Sequence, residues 1–164
     1  RLEEFRCHNC DRHARVVFAS ICGNVAEEWV QNNTINMNNM YANNFVVTEK
    51  MSLREGLLKK QELFEQNQHR SAILIRLVKT TDNGDGHSFV IYKESDGNVY
   101  TLQSSFGKAH LCSILGDIFT NELVETIESG EKVWYGSFGI ACDDNVQECD
   151  RWFCENECYF VYRE

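Results

Sequence analysis

A thiol, an imidazole and a carboxamide stand in that order in this chain, at Cys22, His87 and Gln103. Together these types make a nucleophilic cysteine site. The thiol attacks an acyl carbon, the imidazole takes and returns its proton, and a third polar group holds the ring. A free thiol, with a pKa of about 8.5, holds little thiolate at neutral pH. Both a helix N-terminus and a nearby imidazolium stabilise the anion. Val25, Ala26, Trp29 and Val30 fall at helical spacing. They predict a helix from Cys22 to about Gln31, with the thiol at its start. Gly23 allows a tight turn and close approach of substrate. The backbone N–H of Cys22 is placed to donate to a developing oxyanion.

His87 opens the segment Gly86-His87-Ser88-Phe89-Val90-Ile91-Tyr92, and Gln103 lies in Val99-Tyr100-Thr101-Leu102-Gln103-Ser104-Ser105. Ser95-Asp96-Gly97-Asn98 between them is hairpin-turn chemistry, so the two side chains are expected on adjacent antiparallel strands. Asp96 is the alternative orienting group, but its place in the turn accounts for it. Cys10 is a rival nucleophile whose CxxC context suits a structural role, and Cys112 follows the histidine. Each residue also has a plain structural reading. Cys22 fits as a small buried hydrophobe, His87 as a strand-edge residue and Gln103 as a solvent-facing one.

The remaining cysteines form an N-terminal pair, Cys7 and Cys10, and a C-terminal group, Cys142, Cys149, Cys154 and Cys158. Cys7, Cys10, Cys154 and Cys158 have spacing that suits a tetrahedral zinc site. The same six cysteines suit three disulfides, the reading the crowded acidic C-terminal segment favours. No other cofactor is implied.

These residues need elements to position them. Ser52-Leu53-Arg54-Glu55 is a capping box. It predicts a helix to about Gln68 with Leu53, Leu57, Leu58, Leu63 and Phe64 facing the core. Ser71 to Lys79 is a near-continuous apolar run, as expected of a central strand. Thr80 to Gly86 reads as a loop delivering His87. His110 to Glu128 reads as one or two helices, and Glu131–Ala141 and Glu157–Tyr162 as late strands. The sum is a single α+β domain, residues 1–164, with a helical N-terminal part and a mainly antiparallel sheet.

The order Cys22, His87, Gln103, with His-Ser-Phe-Val-Ile and Tyr-Thr-Leu-Gln-Ser-Ser, resembles the papain-like and transglutaminase-core cysteine enzymes. The hairpin is similar to the histidine region of their bacterial effector and toxin members. The likeness covers roughly residues 16–106. It implies a papain-like fold, with N-terminal helices packed on an antiparallel sheet and the nucleophile at a helix start. It also implies hydrolysis, deamidation or transamidation of a protein substrate, a host protein included, through a thioester at Cys22. The Cys-Gly-Ser-Cys-Trp run of papain itself is absent. Gln103 stands where Asp or Asn is usual, and Val16 and Val17 occupy the region of the oxyanion glutamine.

Net charge is −9 and the pI is about 5.0. Such a balance disfavours nucleic acid, whose phosphates it repels. No apolar stretch is long enough to cross a membrane. The cysteine count and the effector likeness lead to the expectation of a secreted protein. The alternative is a non-enzymatic, disulfide-stapled secreted interaction module, or a catalytically inactive relative.

Overall fold

The computed structural model describes residues 2–22, 45–66, 72–80, 82–104, 112–131, 133–134, 152–153 and 155–163. The run Ala72–Lys79 forms strand β3, buried at every position except Arg76 and Lys79. A strand apolar on both faces needs neighbours on both edges and layers above and below. It has them: β9 (Glu157–Arg163) pairs on one side and β4 (Asp82–Lys93) on the other. Beyond β4 come β5 (Val99–Ser104) and β6 (Cys112–Gly116). Beyond β9 come the short β1 (Phe45–Val47) and β2 (Met51–Ser52). Every described pairing in this seven-stranded sheet is antiparallel. Val133–Trp134 (β7) and Trp152–Phe153 (β8) form a separate pair. The architecture is α+β, as its composition and periods suggest.

Alternation along each strand divides the core in two. On one face Leu74, Val90, Leu102 and Val161 meet Ala14 and Phe18 of helix α1 (Leu2–Cys22). On the other, Ile73, Ile75, Leu77, Phe89, Ile91 and Phe160 meet two helices. These are α2 (Leu53–Gln66) and α3 (Asn121–Glu128). The capping box forms as read: the Glu55 N–H donates to Ser52 Oγ at 3.1 Å, and Ser52 Oγ donates to Glu55 Oε1 at 3.2 Å. At the hairpin turn, Gly97 takes φ 89° and Asp96 Oδ1 accepts from the Asn98 N–H at 2.8 Å.

The structure corrects several expectations. The largest is α1. It occupies a segment that carries no clear helical period, and it places Cys22 at a helix end. The inward face of α1 carries Asp11 and Arg15, both buried, so charge masks the apolar stripe. The helix expected over Cys22–Gln31 lies outside the described residues beyond Cys22. Leu58, expected in the core, is 59% exposed, while Lys60 on the inward side is buried. Asp82–Gly86 belongs to β4, with Gly86 opposite Val78 and, across a register shift, Asp82 opposite Lys79, so His87 stands inside a strand instead of opening it. Part of the segment expected to be helical, Cys112–Gly116, is a strand paired with β5. There, sheet pairing outweighs a local pattern too short to hold a helix.

Candidate functional site

Register brings His87 and Gln103 together. His87 pairs with Leu77, and its side chain shares a face with Phe89, against whose ring it stacks at 5.6 Å. Val90 pairs with Leu102, which sets Gln103 opposite Phe89 on that same face. The two side chains meet there, with His87 Nε2 and Gln103 Oε1 2.9 Å apart. A carboxamide oxygen only accepts, so Nε2 donates, which makes Nδ1 the basic nitrogen of the neutral ring. Both side chains are buried. Among the described residues Gln103 Nε2 has no hydrogen-bond partner, a buried donor left over on the orienting residue.

The electrostatics favour a neutral imidazole. Burial pushes His87 below its ordinary value, while the bond to Gln103 and the Glu155 carboxylate pull it back up. Glu155 is itself buried, from a segment where the sequence offered only a cysteine cluster. Nothing in its local pattern marks it as facing a histidine.

A second polar cluster lies under α1. Asp11 Oδ1 accepts from Arg76 Nη1 at 2.9 Å and from the Ser88 hydroxyl, and Arg76 Nη1 also reaches Ser88 Oγ at 3.1 Å. Cys10 sits against this group. Burial and Asp11 raise its thiol, and Arg76 with the backbone of Ser88 and Asp11 opposes them. Ser88 neighbours His87 in the chain, but its side chain points to the α1 face and that of His87 to the α2 face.

Cys22 is not brought to His87. It ends α1, on the opposite face of the sheet. Its carbonyl accepts from Arg163 Nη1 at 2.7 Å. Extending the β3–β9 register places Arg163 level with Ala72 and Tyr92. That is about 17 Å along the strand from His87 at 3.3–3.4 Å per residue. The dipole at a helix C-terminus opposes a thiolate. Burial raises the Cys22 thiol and Arg163 only partly offsets it. The expected N-terminal stabilisation of this thiol is therefore replaced by its opposite.

Cys10, Cys22 and Cys158 are not in disulfides. Cys158 lies on the α2 face, donates to the Ser52 carbonyl at 3.7 Å and has its thiol pushed up to about 12 by burial. Cys10 and Cys158 thus stand on opposite sides of the sheet and share neither a disulfide nor a zinc ion. The side chains of Cys7, Cys112, Cys142, Cys149 and Cys154 lie outside the described residues. Among the described residues no group of three or more His, Cys, Asp or Glu side chains is placed to hold a metal ion. No described helix is long and apolar enough to cross a membrane.

No protein-family model and no curated protein matches the chain.

Proposed function

We propose that the protein is a papain-like thiol hydrolase or acyltransferase acting on a protein substrate, with His87 as general base and Gln103 as the group that fixes its ring. The 2.9 Å contact between them carries the reading. It supports the required tautomer, with Nε2–H spent on Gln103 and Nδ1 basic. In the reaction, sulfur adds to the acyl carbon as the thiol proton passes to the imidazole. The proton then goes to the leaving amine or ammonia, and a thioester remains. Water or an amine adds to the thioester and gives a proton to the imidazole, which returns it to the departing sulfur. Protease, deamidase and transglutaminase differ only in the leaving group and the final acceptor.

The reading requires a cysteine on the His87 face of the sheet. Cys10 and Cys22 are on the other face, and the Cys158 thiol is committed to the Ser52 carbonyl. Cys7 belongs to α1 on that other face, and the register sets Cys112 opposite Ser104 and not Gln103, so the nucleophile is sought among Cys142, Cys149 and Cys154. The test is acylation by p-nitrophenyl acetate. A burst of nitrophenolate, with acetylation of one cysteine that fails in His87→Ala, is expected. Acylation indifferent to His87 would contradict it.

One observation favours a second reading, a catalytically inactive relative or interaction module. Burial raises all three described thiols and keeps the imidazole neutral, so the described residues hold no preformed thiolate–imidazolium pair. In that case His87–Gln103 is a structural pair, and no burst appears.

A further inference from the structure

A cavity of about 410 Å³ opens between α2, the β4–β5 turn and the segment leading into α3. Its volume falls within the range of small-molecule sites. It is independent of the His87 pair: Lys93, on its wall, lies about 20 Å farther along β4 at 3.3–3.4 Å per residue. Leu57, Phe64, Val99 and Phe119 give it apolar surface.

Two ammonium groups stand among these apolar walls. Lys60 is only 5% exposed. A buried ammonium is costly unless its donors are satisfied. Its Nζ donates to Asp117 Oδ2 at 2.5 Å and to the Phe119 carbonyl at 2.6 Å. An ammonium has three donors, so one N–H is left without an acceptor among the described residues. Asp117 is turned inward on both oxygens, since Oδ1 accepts from the Phe119 N–H at 3.1 Å. Lys93 Nζ lies 5.7 Å from the centre of the Phe64 ring, and no described carboxylate pairs with it. Glu65, the remaining carboxylate, is exposed at the rim.

We propose that this cavity binds a small organic anion with a flat apolar body, such as an aromatic carboxylate. The body lies against Val99 and the edge of Phe64, and the carboxylate accepts from Lys93 and the remaining N–H of Lys60. The assignment follows from chemistry: two ammonium groups with spare donors beside aromatic faces select negative charge joined to apolar surface.

Calorimetric titration of the whole protein with 1-naphthoate tests this, with 1-naphthylmethylammonium as the matched cation. Saturable binding of naphthoate and none of the cation is expected. Lys93→Gln should weaken naphthoate about tenfold or more, the loss of one charge-assisted hydrogen bond, and Lys93→Arg should retain it. Lys93 is only half-buried, so Lys93→Gln should keep the wild-type melting temperature. Absence of naphthoate binding, equal binding of the cation, or unchanged affinity in Lys93→Gln would each overturn the proposal.

Discussion

The bond between His87 and Gln103 fixes both a tautomer and a direction of pH dependence. Burial lowers His87 from 6.5, so the folded state takes a proton less readily than the unfolded chain. The stability held in the neutral ring is complete above that value and is lost as pH falls below it. His13, lowered by burial and by His87, acts in the same direction. The urea midpoint should therefore fall between about pH 7 and about pH 5, and His87→Gln should flatten that slope. Glu128, held below 4.5 by Arg54, loses its share only at lower pH and does not blur the window. Removing the carboxamide isolates the other half of the pair. Gln103→Ala removes the Gln103 acceptor from a buried imidazole and should cost about 1–3 kcal/mol, read from denaturant unfolding. A midpoint unchanged from wild type would mean that the bond is absent in solution.

Among the elements, two glycines carry close approaches. A Cβ on Gly86 would stand 2.0 Å from the Leu77 carbonyl oxygen, which is backbone and has no room to move. Gly86→Ala should thus part β3 from β4 beside His87 and cost a few kcal/mol, about 1–3. A Cβ on Gly56 would meet Cys158 Sγ at 2.4 Å, a side chain that can be removed. Gly56→Ala should destabilise, and Cys158→Ala in the same chain should recover part of the loss; additive costs would contradict the contact. At the start of α2, Ser52→Ala should cost about 1 kcal/mol by removing the capping box. These elements also show what could be read in the sequence. The capping box, the apolar run of β3 and the Asp-Gly-Asn turn each rest on neighbours in the chain, so they were visible. α1 was not, because Asp11 and Arg15 face inward, and the partners of Asp11, Arg76 and Ser88, come from strands distant in the chain. The setting of Cys22 depends on α1, which puts the thiol at the unfavoured end of that helix's dipole. The His87–Gln103 pairing was legible because hairpin register is local. Glu155 was not, because it enters from the segment before β9, distant in the chain.

At the scale of the whole molecule, the sheet is a partition. Its α1 face holds Cys10 and Cys22 with the Asp11–Arg76–Ser88 cluster, and its α2 face holds the histidine pair. The central claim is that the histidine pair serves a cysteine of this chain. The most direct test is iodoacetamide labelling of the native protein from about pH 5 to about pH 9, with the label assigned to each cysteine by mass spectrometry. Wild type should be compared with His87→Ala and Gln103→Ala. One cysteine other than Cys10, Cys22 or Cys158 should label fastest near neutral pH, and both variants should abolish that advantage. If every cysteine labels at the same rate with and without His87, the pair is structural and the enzymatic account fails.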